Sequence, residues 1–525
     1  MNSLVLYDAL LREGPQTEGI NLSVNDKLML MELLDDIGVQ YIEGGWPGSN
    51  PKDTLFFKEA KRLKLKHAIL TAFGMTRRLR FKAFRDPNLL NLLKVQTSVI
   101  TIFGKSWDFH VQHALKITLE ENLHLIFDSV KFLKQRVNKV FYDAEHFFDG
   151  FKANAQYAFQ CLKAAQDAGA DCLILCDTNG GSTPEEVASI VSQVRQKFTN
   201  SSLGIHCHND GDLAIANTFS AIGNGATQVQ GCFNGYGERC GNTNMTSFIA
   251  TAILKYKYKF TTTINLKKLT VVSRKIDEIC NMQLRDTAPY VGKSAFAHKA
   301  GVHISAVKNA SKTYEHVSPE LIGNTRKILM SDMAGSSAVI LKALDRKIVL
   351  DKNTKATQTI IERIKNLESQ GYQFEGSEAS FEILVKKALK QHRNFFELIG
   401  FRVIVENRGD GNLISEATIK IKVKGILENI VAEGNGPVNV LDIALRKALI
   451  RFYPRLREVA LVDFKVRVLD AKEGTASKVR VLLVSKDKTH MWGTVGVSDN
   501  IIDASWMALV DSIDYKLLKD DQTRK

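Results

Sequence analysis

Short runs rich in β-branched and aromatic residues recur through the first half of the chain. They are SLVLYD (3–8), VQYIEGG (39–45), KHAILTAFG (66–74), TSVITIFG (97–104), KVFYDAEHF (139–147), DCLILCDTNGG (171–181), LGIHCHND (203–210) and TQVQGCFNGYG (227–237). Each reads as a strand, and the segments between them follow a helical period. In VNDKLMLMELLDDIG (24–38), Leu28, Met31, Leu34 and Ile37 share one helical face. In TPEEVASIVSQVRQKF (183–198), Thr183 stands at the N-cap, Pro184 at the first helical position, and acids follow. Eight strands alternating with helices over roughly 250 residues predict a closed (β/α)8 TIM barrel. A doubly wound open sheet usually has fewer strands and a glycine-rich phosphate turn after the first, and no G-x-G-x-x-G occurs there.

Beyond the eighth strand the pattern changes twice. From about Leu266 to Asn394 it is helical, as in LKKLTVVSRKIDEICNMQ and TKATQTIIERIKNLESQG. After about 396, EATIKIKVKG, DFKVRVLD and SKVRVLLVSK alternate apolar and polar residues as strands do. Two passages there are alike: ENIVAEGNGPVNVLDIALRKAL (428–449) and MWGTVGVSDNIIDASWMALVDSI (491–513) each run from strand through a Gly- or Asp-bearing turn into a helix. The expected division is a barrel at 1–264, helical connector subdomains at 265–395 and an α+β domain at 396–525. A chain of 525 residues is also too long for one core.

Charge and cysteine usage narrow the classes of function. The basic excess is 71 − 57 = +14, and basic residues gather between Lys58 and Lys82. That stretch lacks the interleaved stacking aromatics or the motif of a nucleic-acid binder, so it reads as a solvated face or as an attractor of an anionic substrate. All seven cysteines lie between Cys161 and Cys280 without a C-x-x-C pair, which indicates free thiols in a reducing compartment. The opening MNSLVLYDALLREG is unlike a secretory signal, and no run approaches 18 apolar residues. A cytoplasmic protein that spans no membrane and binds no nucleic acid is expected.

Candidate chemistry gathers where the strands end. His206 and His208 stand two apart in LGIHCHND, so on a strand both rings project to one side. An isolated H-x-H is equally the polar face of a strand, with Cys207 between them turned into packing. In a barrel, however, the same rim also receives Arg12 and Glu13 after the first strand and Glu43 after the second. Asp143 and Glu145 end the fifth strand, Asp177 and Thr178 the sixth, and Asn234, Glu238, Arg239 and Asn242 follow the eighth. Active sites of barrels are built on that rim, and this convergence favours metal ligation.

LREGPQ near the start, GIHCHND and NGYGERCGN (234–242) resemble the three signatures of the isopropylmalate, homocitrate and citramalate synthase family. Further stretches resemble its citramalate branch: YIEGGWPGSNPKD, TIFGKSWDFH, DAEHFFDGFKAN, LCDTNGG, SAFAHKAGVHISAV and TYEHVSPELIGN. So do EGNGPVNVLDIALRKAL and WGTVGVSDNIIDAS, so the resemblance covers nearly the whole chain. It implies a metal-dependent acyltransferase that joins acetyl-CoA to a 2-oxo acid, here pyruvate, with hydrolysis of the thioester, at the start of threonine-independent isoleucine synthesis. It also implies a divalent cation (Mn²⁺, Mg²⁺ or Zn²⁺) held by Glu13, His206, His208 and, more weakly, Asn242. Arg12 would stabilise the developing alkoxide, Glu145 would position the keto acid or manage its protons, and Thr178 would bond its carboxylate. His303 and Tyr314 map onto a pair that acts on the acetyl methyl. The 265–395 section would close over substrate. The last section would be regulatory, binding an end product such as isoleucine in a homodimer, or would serve dimerisation alone.

One signature departs from the pattern. Where the family has D-T-T-L-R-D-G-x-Q this chain has DALLREGPQ, so Glu13 replaces an aspartate and carries one more methylene. A shift of about an ångström can cost roughly 100-fold in rate. The competing readings are a sibling synthase for another 2-oxo acid and a catalytically impaired amino-acid sensor. Some residues have structural alternatives: Asp143 as support for its turn, Glu238 with Arg239 as a loop clamp, and His298 as a helix-facing histidine.

Overall fold

The structure is a computed structural model. It describes residues 3–522 except 284, 299–302, 304–305, 308, 329–338, 341–342, 345–347, 349, 352–353, 375, 409–411 and 470–476. Part of SAFAHKAGVHISAV therefore lies outside the described residues. The chain forms two compact units, Met1–Phe296 with His316–Arg326, and Ala297–Glu315 with Lys327–Lys525.

The first unit holds the expected barrel. Strands β1 (Val5–Asp8), β2 (Tyr41–Gly45), β3 (Ile69–Met75), β4 (Val99–Lys105), β5 (Lys139–Glu145), β6 (Cys172–Asp177), β7 (Leu203–Cys207) and β8 (Gln228–Gly231) pair in parallel and in sequence order. The seam closes where β1 meets β8, Val5 opposite Gln228 and Asp8 opposite Gly231. Several strands end earlier than their apolar runs. The eighth stops at Gly231 rather than 237 because Asn234 (φ 59°) and Gly235 (φ 74°) turn the chain out of the sheet.

Alternation along the strands sorts side chains between two cores. Outward residues pack under the helices in one large cluster that includes Leu6, Ile42, Ile100, Leu173 and Val229. Inward, the rings of Tyr7, Tyr41 and Phe141 meet across the barrel, Tyr41 and Phe141 edge to face at 5.1 Å. The helix Val24–Ile37 starts on a capping box between Ser23 and Asp26 and ends at Gly38 (φ 103°). Its buried face is Lys27, Leu30, Met31, Leu34 and Ile37, and Leu28 is only half-buried. Lys27 replaces it on that face because its ammonium pairs with buried Asp53 at 2.5 Å and donates to the Gly44 carbonyl at 3.1 Å. The expected cap Thr183 accepts the Glu186 N–H at 3.3 Å, and Pro184 opens the helix Pro184–Lys197.

In the second unit β9 (Ala297–His298) pairs with β10 (Lys327–Ile328) in parallel. Helices Lys355–Ser369 and Glu378–Ala388 follow. Two antiparallel sheets come next, β11 (Glu397–Arg408), β12 (Asn412–Val423) and β13 (Ile426–Gly434), then β14 (Ala460–Val468), β15 (Val479–Lys486) and β16 (Met491–Ser498). Each sheet leads into a helix, Pro437–Ile450 and Ile501–Gln522, so the two similar passages belong to two βββα repeats. The helices share one core through Leu441, Leu445, Leu449, Trp506 and Leu509.

All seven cysteines are free, and only Cys240 is exposed. Among the described residues no helix is long and apolar enough to cross a membrane.

Candidate metal centre and substrate hollow

The site begins at the end of β1. The Asp8 carboxylate accepts the N–H groups of Leu10 and Phe233, each at 2.9 Å, and so fixes the one-turn helix Leu10–Glu13 against the start of the loop after β8. Burial pushes the Asp8 carboxyl up to about 7. The helix turns Arg12 and Glu13 over the barrel mouth. Arg12 lies over the Phe73 ring, 3.8 Å from its centroid, pairs through Nε with Glu43 and meets Glu13 at 2.5 Å. Glu43 in turn accepts from the Tyr7 hydroxyl, so an inward-facing carboxylate below the rim holds the guanidinium in place.

Glu13, His206 and His208 are all buried, and one ligand atom from each lies within 4.8 Å of the others. Glu13 Oε1 is 3.9 Å from His206 Nε2. Burial pushes the Glu13 carboxyl upward, but the charge of Arg12 beside it outweighs this and holds it below the usual carboxylate range. Burial, aided by the neighbouring His206 ring, pushes His208 down to about 3, so its ring is a neutral lone-pair donor. Gln230 Oε1 lies 2.9 Å from His206 Nδ1, which puts the proton on Nδ1 and makes Nε2 the ring's lone-pair donor. Asn242 reaches the same Nε2 with its amide at 3.1 Å, from a residue bridged to His208. Gly241 (φ 83°) makes that approach possible, since a Cβ there would collide with the Gly235 carbonyl.

The donor set fits a divalent cation. Glu13 Oε2, His208 Nδ1 and Asn242 Oδ1 are buried without hydrogen-bond partners, an expensive arrangement for polar atoms with nothing to bind. One carboxylate, two imidazoles and an amide oxygen suit such an ion. The additional methylene of Glu13 does not carry its carboxylate away from the imidazoles.

A hollow of about 220 Å³ opens beside this cluster, bounded by Arg12, Glu13, Trp46, Phe73, Phe103, Asp143, Glu145, Thr178, His206 and His208. Glu145 pairs with Lys105 at 2.5 Å, and the Thr178 hydroxyl accepts the His146 N–H at 2.9 Å. Burial and the charge of Glu43 raise the Asp143 carboxyl well above the usual range, and it accepts from Gln230 at 3.1 Å. Asp143 is thus part of the hollow's wall. Arg239 clamps chiefly Asp210, at 2.7 Å and 3.0 Å, and the Thr178 carbonyl at 2.7 Å, with Glu238 a distant partner at 3.6 Å. His303 and Tyr314 belong to the second unit, where their rings stack at 3.9 Å. His298 is buried on β9, not on a helix, and bonds Glu315 at 3.2 Å.

Three family models match the chain: "HMGL-like" over residues 3–276, "Homocitrate synthase post-HMGL domain-like" over 290–372, and "LeuA allosteric (dimerisation) domain" over 375–517. The chain is 55% identical to the (R)-citramalate synthase of Geobacter sulfurreducens over 523 residues, covering 99% of each chain. It is 50% identical to that of Aquifex aeolicus, covering 98% of each. The chain belongs to the HMGL-like family, among its (R)-citramalate synthases. Identity to the 2-isopropylmalate synthase of Methanocaldococcus jannaschii is lower, 29% over 98% of this chain and 95% of that one.

Sequence reasoning singled out the rim and missed its support. Gln230 sits in TQVQG, where only strand alternation could have turned it inward with the histidines, and Tyr7 looks like an ordinary strand residue. Trp46, held by Asp53 at its N–H (2.9 Å) and by Asn88 at its indole (2.8 Å), was also not selected.

Proposed function

We propose that this protein condenses the acetyl group of acetyl-CoA with pyruvate, with water taking the thioester, to give (R)-citramalate and CoA. The observation that carries the reading is a buried Glu13–His206–His208 cluster beside Arg12, in a chain matched end to end by citramalate synthases.

Glu13, His206, His208 and the Asn242 amide would hold the cation, with Mn²⁺, Mg²⁺ or Zn²⁺ all suited to them. When bound, such an ion supplies positive charge that polarises a 2-oxo acid's carbonyl. Arg12 adds a fixed cation beside the oxygen that gains charge as the carbon–carbon bond forms. Its orientation is set in advance by Glu43 and by Phe73, so little reorganisation accompanies the reaction. Thr178 and Glu145 orient the keto acid, and Glu145, held in place by its pair with Lys105, exchanges protons with it. Asp143, whose carboxyl burial pushes upward, lines the same wall and accepts from Gln230. The acetyl methyl is a weak carbon acid and needs a base at close range, a role assigned to His303 with Tyr314.

The two βββα repeats support a homodimer, with isoleucine as effector of a cytoplasmic enzyme that opens a route to that amino acid. Product analysis tests the reading. Chiral chromatography of a reaction with acetyl-CoA and pyruvate should yield (R)-citramalate. Isopropylmalate or homocitrate formed preferentially from 2-oxoisovalerate or 2-oxoglutarate would replace it with a sibling activity.

A further inference from the structure

The fold divides the basic stretch between Lys58 and Lys82. Its first part lies on the helix Pro51–Ala60 and the turn beyond, which lead to the start of β3. Its second part emerges after Met75, at the end of β3, on the side of the barrel where Phe73 lines the hollow. Residues 76–86 carry Arg77, Arg78, Arg80, Lys82 and Arg85 against one carboxylate, Asp86. That carboxylate is buried and accepts the N–H groups of Arg78 at 2.9 Å and Leu89 at 3.0 Å. Arg77 turns inward, pairing with Asp128 at 2.7 Å and donating to the Phe81 carbonyl at 3.0 Å. Arg78, Arg80, Lys82 and Arg85 are exposed and make no ion pair among the described residues. None of the other loops that follow the barrel strands carries a net positive charge.

Like charges on one loop repel, yet this loop is held in shape. Ser129 Oγ accepts the Arg77 N–H at 2.8 Å, and turns close from Phe81 to Arg78 at 3.1 Å and from Arg85 to Lys82 at 2.9 Å. A solvated face usually interleaves both signs; an unneutralised, preorganised cationic loop at the mouth of a site suits a polyanion. Leu79 and Phe84 stand exposed among the cations, at 48% and 53%, and offer apolar surface beside the charges. Acetyl-CoA has this character at one end: a diphosphate and a 3′-phosphate on an adenosine. The hollow of about 220 Å³ is of a size for a small keto acid and leaves the nucleotide outside it, on the rim.

We propose that the loop 76–86 anchors the nucleotide end of acetyl-CoA, with Arg78, Arg80 and Lys82 binding its phosphates and Leu79 and Phe84 flanking the adenine. This rests on the condensation proposed above, and the test separates the two. Calorimetry with CoA and with adenosine 3′,5′-bisphosphate compares native protein with a variant carrying Arg78→Ala, Arg80→Ala and Lys82→Ala. The variant is expected to bind both ligands about tenfold or more weakly, with a shallower salt dependence. Equal binding with equal salt dependence overturns the assignment, and a single Arg80→Glu variant repeats the comparison if the triple variant does not fold. In turnover, KM for acetyl-CoA should rise about tenfold while KM for pyruvate holds. With acetyl-pantetheine, which lacks the phosphates, native and variant should match. Condensation with an unchanged KM for acetyl-CoA would remove the loop from the account and leave the reaction standing. Loop-dependent CoA binding without condensation would do the reverse.

Discussion

The Glu13 carboxylate is buried 3.9 Å from His206 and bonded to Arg12, with its second oxygen unpartnered. Removing its charge while keeping its shape tests whether it is a ligand. Glu13→Gln should weaken Mn²⁺ binding, measured by calorimetry, at or beyond the roughly 10–100-fold range of outer-shell changes, with the melting temperature little altered. Gln230 acts one step further out. It fixes the proton on His206 Nδ1, so Gln230→Leu should lower cation affinity by about 10–100-fold and leave the barrel folded. Unchanged affinity in that variant would mean that His206 needs no partner to ligate. These two residues also mark what was legible. His206 and His208 announce themselves by spacing, and Glu13 by its place after a strand. Gln230, Glu43 and Tyr7 do not, because an inward polar residue in a barrel has no periodicity of its own. Only its partner across the interior gives it a role.

At the scale of elements, strands and helices follow the pattern closely, since β-branched runs and 3.6-residue periods reflect burial directly. Strand ends are less legible: GCFNGYG remains apolar or compact past the point where the positive-φ residues Asn234 and Gly235 leave the sheet. The Lys27–Asp53 pair was hidden for a related reason, as a buried ion pair looks like surface until both partners are placed. The closing seam of the barrel carries a pH signature. Burial raises Asp8 to about 7 from an ordinary value near 4, so the folded state prefers it protonated. Its contribution to stability is therefore complete below about pH 4 and is lost as pH rises through about 7, on the order of 4 kcal/mol in all. Thermal unfolding of the native protein should lose stability over that range by more than Asp8→Asn does. Parallel pH profiles for the two would show that Asp8 ionises freely in the fold.

For the whole molecule, the second repeat leaves a surface uncovered. On β14, at the edge of its sheet, Phe464, Val466 and Val468 alternate onto one face and are exposed, as is Val462 at the bulge that precedes them. In a chain with a LeuA-type dimerisation domain, a second copy is the expected cover. Light scattering should find a dimer, and Phe464→Glu with Val466→Lys should shift it to monomer; a dimer that persists would place the interface elsewhere. The βββα duplication was readable from two similar strand-to-helix passages. The exposed strand was not, because its alternation is the same whether the apolar face meets its own chain or another.

The central claim is a cation-dependent condensation at the rim of the barrel, and release of free thiol from acetyl-CoA tests it most directly. Purified native protein, stripped with chelator and then supplied with Mn²⁺ or Mg²⁺, would be given pyruvate, 2-oxoisovalerate or 2-oxoglutarate. The account predicts thiol release that requires both the cation and pyruvate and is much slower with the other two acids. Release without a cation, or none with any keto acid under any cation while Glu13→Asp restores it, would contradict the account and favour a sensor built on a barrel that no longer turns over.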